Sequence, residues 1–184
     1  MDFDLTEEQR AFQESVRRFA ETHLAKDALA RAHQEAFPWD VAKLMAEAGL
    51  FGLMLPEADG GGGGSLMDAV LAIEQIAYVC PRSADVLQAG NFGAFRTLAE
   101  YATADQKARW FGPLLRGEKI AAVGMTEPDA GSALTDLKSA CTQDGNGYRL
   151  NGGKVFTSNT QDADIFLLYC GFGPGTDGIG SVIL

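Results

Sequence analysis

The sequence is poor in cysteine and histidine, the residues that hold structural zinc ions. It contains three cysteines, Cys80, Cys141 and Cys170, far apart in the chain, and two histidines, His23 and His33. Structural zinc sites use closely spaced cysteine and histidine pairs, and disulfide frameworks need regularly placed cysteines. We therefore predict no metal site and no disulfide framework, and we expect reduced thiols of the kind found in the cytoplasm.

The chain also lacks a basic cluster and a long hydrophobic run. Its formal net charge is −10, and no group of lysines and arginines is present that would neutralise a run of phosphates. No stretch of about 18 apolar residues occurs, and the N-terminus, MDFDLTEEQR, opens with acids where a signal peptide is basic. The sequence therefore argues against nucleic-acid and membrane partners and predicts a cytoplasmic protein.

Hydrophobic spacing in the first 117 residues predicts a bundle of helices. Three predicted helices follow a residue pair with capping-box spacing: Thr6 and Gln9, Ser65 and Asp68, and Thr103 and Gln106. Two further helices are predicted, one around WDVAKLMAEAG, ending at Gly49, and one within residues 83–102. The segment LMDAVLAIEQIAYVC is apolar on nearly every side, which is typical of a helix buried inside a bundle.

From Lys119 onward the pattern changes to that of β-strands. Strand-like segments cover 119–127, 137–143, 148–159, 162–170 and 178–184, and DGNG at 144–147 predicts a hairpin turn. The expected fold class is α+β: an all-α helical bundle at 1–117, then part of an antiparallel, β-barrel-like middle domain at 118–184. Because the sequence stops within an apolar strand, at SVIL, we expect an incomplete protein or one part of a larger assembly.

The five consecutive glycines, Gly60 to Gly64, suggest a phosphate-binding loop at first sight. A Walker loop, however, needs Lys followed by Ser or Thr, and a dinucleotide fingerprint needs a preceding strand. Here Ser65 follows without a lysine, and predicted helices lie on both sides. The run is therefore better interpreted as a flexible loop between helices.

The most unusual polar stretch is TEPDAGSAL, which begins at Thr126 after a predicted strand. Small residues at Ala130, Gly131 and Ser132 would let successive backbone N–H groups face one point and bind an anion such as phosphate. A simple tight turn explains the composition equally well. With only Pro128 between them, the carboxylates of Glu127 and Asp129 suit a turn better than an acid–base pair.

A second polar cluster, KVFTSN, ends another predicted strand downstream. Its aromatic Phe156 stands beside the hydroxyl of Ser158 and the amide of Asn159. An aromatic face next to polar groups could take a flat, polar ring system. This cluster, more than the glycine run, favours a ligand-binding function for the second half of the chain.

Four ordered blocks resemble the acyl-CoA dehydrogenase family of flavoproteins across the whole chain. LTEEQRAFQESVRRFA is similar to the family's first helix, and GLFGLMLPEADGGGGGS is similar to its GLxGLxxPExxGG segment. ADQKARWFGPLLRGEKIAAVGMTEPDAGS resembles the stretch that ends in TEPxAGSD, and YRLNGGKVFTSN resembles YxLNGxKxWITN. Three departures are Ala133, where the family usually has an acid, Phe156, where it usually has tryptophan, and Val123, at a position that is often aromatic.

The resemblance implies a bound FAD and assigns residues to it. Met125 and Thr126 would contact the edge of the flavin pyrimidine, and Gly131 and Ser132 would meet the FAD pyrophosphate. Ser132 would also contact the passing acyl-CoA substrate. The flavin face and the region near its N5 and O4 would be contacted by three neighbouring residues: Phe156, Thr157 and Ser158.

The resemblance further implies α,β-dehydrogenation of an acyl-CoA thioester to a trans-2-enoyl-CoA, within fatty acid metabolism. A carboxylate removes the α-proton, a hydride passes to the flavin, and electrons pass to an electron-transfer flavoprotein. Family members form homo- or hetero-oligomers, and their base lies in a C-terminal helical domain. None of the carboxylates in this sequence matches it, so we assign no catalytic residue and expect the chain alone to be inactive.

Alternatives within the same superfamily are a flavin monooxygenase and an acyl-CoA oxidase. A non-catalytic partner subunit or an inactive remnant is an alternative from another class.

Overall fold

The computed structural model of the protein describes residues 4–184 and divides the chain into two compact units. The first unit ends at Ile120, and the second is Ala121–Leu184. In the first unit the helices are α1 (Glu7–His23), α2 (Ala28–Ala32), α3 (Trp39–Glu47), α4 (Leu66–Val79), α5 (Pro81–Ala89), α6 (Ala94–Tyr101) and α7 (Ala104–Leu115). In the second unit the strands are β1 (Ala121–Gly124), β2 (Ala140–Asp144), β3 (Gly147–Asn151), β4 (Ile165–Gly171) and β5 (Ile179–Ile183).

Helix starts in the first unit follow the local sequence closely. The capping boxes predicted at Thr6, Ser65 and Thr103 are all formed and begin α1, α4 and α7. In each of them the hydroxyl accepts the N–H of the residue three positions later, while that residue's side chain accepts the hydroxyl residue's own N–H. Because a capping box needs only neighbours along the chain, its spacing is sufficient to locate a helix start.

The single helix predicted within residues 83–102 is wrong, because the chain forms two helices there. α5 ends at Ala89 and α6 begins at Ala94. Gly93, between them, has φ 61°, a backbone conformation that glycine adopts without steric cost. At Gly90 a Cβ would lie only 2.6 Å from the Phe51 ring, so the close packing of Phe51 requires a glycine at this break.

Helix α4 is not buried on all sides, contrary to the expectation from its composition. Its core face packs against α1 and α5, but four large apolar residues on it are exposed: Leu66, Met67, Val70 and Tyr78. The guanidinium of Arg17 on α1 lies 3.7 Å from the centroid of the Tyr78 ring, a cation–π contact. Composition alone could not separate the two faces, because apolar residues occupy both.

The glycine run is a loop between α3 and α4, and its amides are used within the protein. The N–H groups of Gly62, Gly63 and Gly64 donate to the carbonyls of Gly52, Leu55 and Leu53, at 3.0, 2.8 and 2.7 Å. A Cβ at position 61 would clash with the backbone of the same segment. Glycine is therefore needed for close backbone approach, and these amides are not left available to hold a phosphate.

The sheet of the second unit is open, with strand order β1-β4-β2-β3 and β5 also paired to β4. The β2–β3 and β4–β5 ladders are antiparallel, whereas β1 pairs with β4 in parallel, and β2 meets β4 in parallel at one residue pair. A helical unit followed by a small sheet is confirmed. The sheet is mixed, however, because β1 and β4 are joined by a long connection that brings the chain back in the same direction.

The hairpin predicted at DGNG is confirmed as the turn between β2 and β3. Asp144 pairs with Gly147, and Gly145, the first of the two central residues, has φ 61°. A positive φ at this position is typical of a type II′ turn, whose twist matches that of the flanking strands.

Candidate functional site

The two polar clusters that the sequence singles out lie side by side in the second unit. The Val155 N–H donates to the Thr126 carbonyl at 2.9 Å, and Lys154 Nζ donates to the Met125 carbonyl at 3.0 Å. The first segment continues from β1, and the second follows β3. Residues almost 30 positions apart therefore form one continuous polar edge.

The direction of one amide in this edge is fixed by the contact to Met125. A trans peptide is planar, so the Met125 carbonyl and the Thr126 N–H point in opposite directions. Because Lys154 holds that carbonyl, the Thr126 N–H faces away from the lysine. It donates to none of the residues 4–184 and remains available as a hydrogen-bond donor.

Glu127 lies at the centre of a buried ion pair beneath this edge. Its Oε1 is 2.6 Å from Lys154 Nζ and accepts the Ser139 N–H at 3.0 Å, while its Oε2 accepts the Lys138 N–H at 2.6 Å. The Glu127 and Lys154 side chains are only 5% and 10% exposed. The carboxylate therefore joins three segments, those after β1, before β2 and after β3.

The same contacts keep the Glu127 carboxylate ionised. Burial alone would raise its pKa, but hydrogen bonds from Lys154, Ser139 and Lys138 outweigh the burial and lower the pKa to about 2. Asp129, which is exposed, pairs with Lys138 at 2.7 Å. Neither carboxylate is left without a cationic partner.

The predicted anion-binding nest is formed only in part. Glu127 and Ala130 exchange two backbone hydrogen bonds across a tight turn, at 3.0 and 3.2 Å, so the Ala130 N–H is already used. Gly131 and Ser132 are exposed, and their N–H groups donate to no other residue in the described part of the chain. A Cβ at Gly131 would have nothing within 4 Å, so the backbone there is open to a ligand.

Phe156 occupies a strained and exposed position. Its φ is 57° and its exposure is 93%, both unusual for a large aromatic residue. Asn159 also has a positive φ, 60°, and the Thr160 hydroxyl donates to the Thr157 carbonyl at 2.8 Å, which closes the turn. The prediction that this cluster ends a strand is wrong, because β3 stops at Asn151 and the chain then leaves the sheet.

A pocket of about 370 Å³ lies on the sheet next to this turn. It is lined by Ser139, Leu150, Gly152, Lys154, Phe156, Thr157, Thr160, Phe166 and Leu168. Two of the predicted site residues, Phe156 and Thr157, line the pocket. The other five lie outside it: Met125, Thr126, Gly131, Ser132 and Ser158.

Sequence reasoning missed Lys154 as a residue of this edge. Its ammonium contacts both Met125 and Glu127, but a lysine in an extended segment looks like an ordinary surface residue. The available signal was a lysine and a glutamate in two polar clusters whose neighbouring residues the resemblance assigns to the same flavin. Glu127 itself was noted, as a turn residue.

The thiols of the second unit are buried. Cys170 is fully buried and Cys141 is 3% exposed. Burial, and after it the neighbouring Cys141, together raise the pKa of the Cys170 thiol to about 11, so the reactive thiolate is disfavoured. Across residues 4–184 no three histidine, cysteine, aspartate or glutamate side chains converge on a point that could hold a metal ion. No helix of that same part combines the length and apolarity of a membrane span.

Comparison with known protein families identifies both halves of the chain. Residues 6–118 match the N-terminal domain of acyl-CoA dehydrogenases, and residues 122–184 match the middle domain. The chain belongs to the acyl-CoA dehydrogenase family.

Individual relatives agree with this assignment. The chain is 37% identical to benzylmalonyl-CoA dehydrogenase of Aromatoleum aromaticum, with 92% of this chain and 45% of the relative covered. It is 33% identical to the short-chain-specific acyl-CoA dehydrogenase of Clostridium acetobutylicum, with 100% and 49% covered. The solved FAD complex of PigA matches with a TM-score of 0.91 and 29% identity, over 100% of this chain and 49% of that one. The chain thus spans about half the length of the relatives it matches.

Proposed function

We propose that this chain supplies part of the FAD site of an enzyme that dehydrogenates acyl-CoA thioesters. The observation that carries the proposal is the pair of contacts that join Val155 to Thr126 and Lys154 to Met125. They place an available N–H donor next to the turn that presents an aromatic ring. A flat ring system with hydrogen-bonding edges needs that combination.

The residues present fit this cofactor in four ways. The free Thr126 N–H can donate to the pyrimidine edge of a flavin, and the exposed Phe156 ring can cover one face. Thr157 and Ser158 follow Phe156 and add hydroxyls to the same turn. The open backbone at Gly131 and Ser132 can approach a pyrophosphate without hindrance.

When bound, FAD would supply the hydride acceptor, and the chain would supply orientation and charge stabilisation. Amide donors aimed at the ring edge stabilise negative charge that develops there, and they do so without reorganisation. Ser132, next to the proposed pyrophosphate contact, would meet the acyl-CoA substrate as well, and its exposure in this structure supports that proposal.

The base that removes the α-proton would come from residues outside this chain. A general base works best with a pKa near the operating pH, and Glu127 is far from that condition with a pKa of about 2. Asp129 is exposed and paired with Lys138. We therefore propose no catalytic carboxylate here and expect no turnover from residues 1–184 alone.

Membership of the family supports a proposal for the substrate class and the partners. Acyl-CoA thioesters are the proposed substrates, and an electron-transfer flavoprotein is the proposed electron acceptor. The proposed setting is fatty acid metabolism in the cytoplasm, with assembly as a homo- or hetero-oligomer. One relative is named for benzylmalonyl-CoA and another as specific for short chains, so the proposal covers acyl-CoA thioesters as a class.

Nuclear magnetic resonance of the ¹⁵N-labelled chain tests the FAD site directly. Riboflavin should shift the amide signals of Met125, Thr126 and 156–158, whereas ADP should shift those of Gly131 and Ser132. FAD should shift both sets. FAD is added to about 1 mM, a concentration that detects even weak sites. Unchanged amide signals, or shifts confined to the helical unit, would contradict the proposal.

An activity assay separates the alternatives that share the fold. Purified chain, with and without a C-terminal helical domain from a relative, is mixed with FAD, acyl-CoA and an artificial electron acceptor. Dehydrogenation only in the mixture supports a base supplied from outside. Hydrogen peroxide formation in place of acceptor reduction would favour the oxidase alternative.

A further inference from the structure

We propose that Lys154 is a positioning residue that orients the Met125–Thr126 peptide toward the ring edge of the cofactor. This inference rests on the proposed FAD site and adds a residue that neither the resemblance nor the sequence patterns assign to it. Lys154 would act through the backbone, without touching the cofactor itself.

The first step of the argument is the contact of Lys154 with the backbone. Its ammonium donates to the Met125 carbonyl at 3.0 Å, and this carbonyl shares a planar peptide with the Thr126 N–H. A rotation of that peptide would turn the N–H and break the lysine contact at the same time. The charged donor therefore fixes the direction in which Thr126 can donate.

The second step is that Lys154 is itself held in place. Its ammonium lies 2.6 Å from Glu127 Oε1, and the side chain is only 10% exposed. Glu127 is held in turn by the Lys138 and Ser139 N–H groups. A lysine at the surface would sample many rotamers, but this one is restrained on both sides, as a positioning role requires.

The third step is that the same residue also places the second cluster. Val155, next to Lys154, donates its N–H to the Thr126 carbonyl at 2.9 Å, and Phe156 follows at once. Fixing Lys154 thus holds the backbone of the donor edge next to the turn that carries the aromatic ring. A cofactor that needs both would be sensitive to this one side chain.

The test compares three variants in the ¹⁵N-labelled chain. Lys154→Met removes the charge and the donors, and Lys154→Arg keeps both. Lys107→Met is the matched control, because Lys107 forms a half-buried ion pair with Asp59 at 2.8 Å in the helical unit. Riboflavin and FAD affinities are measured together with the Thr126 amide signal and its hydrogen-exchange rate in the cofactor-free chain.

Lys154→Met should move the Thr126 amide signal and weaken riboflavin and FAD binding by about tenfold, the effect expected for one misplaced hydrogen bond. Lys154→Arg should stay within about threefold of the wild type, since it can still donate to the carbonyl. Lys107→Met should leave the Thr126 amide signal and the riboflavin and FAD affinities unchanged. If Lys154→Met does not fold, the double variant Glu127→Gln/Lys154→Met, which leaves no buried charge unpaired, replaces it and should lose the same affinity.

Wild-type affinity and an unmoved Thr126 amide in Lys154→Met would overturn the inference. Equal weakening in Lys107→Met would overturn it too, because the loss would then follow from stability alone. A wild-type chain that binds neither riboflavin nor FAD overturns the proposed function and this role with it. If the wild type binds the cofactor and Lys154→Met binds it equally well, only the positioning role is overturned.

Discussion

Lys154 Nζ lies 2.6 Å from Glu127 Oε1, although the two residues are 27 positions apart in the sequence. Both side chains are buried, and the carboxylate also accepts two backbone N–H groups. This ion pair connects the end of β1 to the segments that flank β2 and β3. It therefore supports the fold of the second unit and the geometry of the candidate site together.

Replacing Glu127 by glutamine should destabilise the second unit strongly. The change removes the charge that compensates the buried Lys154, and breaking a buried pair in this way costs about 3 kcal/mol or more. Asp129→Asn is the matched control, because Asp129 is 71% exposed and its pair with Lys138 is a surface contact. That control should lose less than about 1 kcal/mol. Urea unfolding gives the free energy of unfolding of both variants. Equal losses of stability in Glu127→Gln and Asp129→Asn would contradict the role assigned to Glu127.

The stability of the protein should also depend on pH through Glu127. Its pKa in the folded protein is about 2, below the ordinary 4.5, so the folded state favours the ionised form. The stabilisation is fully present above pH 4.5 and is lost as the pH falls toward 2. The wild type should lose about 3 kcal/mol more than Glu127→Gln over this window. The free energy of unfolding of both proteins is measured between pH 6 and 2. If it falls by the same amount in both, the Glu127 carboxylate does not have a lowered pKa in the folded protein.

Replacement by alanine should change the free energy of unfolding at one glycine of the second unit but not at another. At Gly152, with φ 147°, a Cβ would overlap Ser139, so Gly152→Ala should destabilise by about 2 kcal/mol. Gly131 has no neighbour within 4 Å, so Gly131→Ala should leave the stability within about 0.5 kcal/mol of wild type. If Gly131 approaches a pyrophosphate, the same variant should weaken FAD binding but not riboflavin binding. Fluorescence titration with each ligand measures the FAD and riboflavin affinities of this variant. Equal weakening of both would show that Gly131 does not contact the pyrophosphate.

Phe156 should lower the stability of the folded protein because of its positive φ. Its proposed contact with the flavin would explain why an aromatic residue is nevertheless present there. Asparagine tolerates positive φ and loses no packing at a position that is 93% exposed, so Phe156→Asn should stabilise by about 1 kcal/mol. It should also weaken riboflavin binding, since a ring face is lost. Phe172→Asn is the comparison, because Phe172 packs edge-on against Tyr148, with centroids 6.1 Å apart, and its loss should destabilise. Thermal unfolding tests the contrast, and a destabilised Phe156→Asn would contradict the strain argument.

Much of the helical unit could be predicted because its determinants are local. A capping box involves residues three positions apart, and all three predicted boxes are formed. The break between α5 and α6 was missed although Gly90 and Gly93 mark it in the sequence. What the sequence did not show is that Phe51 packs too closely against Gly90 for any side chain there. The exposed face of α4 was missed for the same kind of reason, since exposure depends on which helices pack beside it.

The sequence by itself determined that strands follow the helices, where the β2–β3 turn lies and which two segments are polar, because alternation and turn residues are patterns of neighbouring positions. It did not determine where β3 ends. Only the tertiary structure decided that β1 runs parallel to β4, that Lys154 meets Met125 and Glu127, and that Phe156 stands exposed at a positive φ. These features come from backbone segments far apart in the chain that approach one another. The free energy that selects them comes from burial and pairing in the folded protein, which residue order alone does not display.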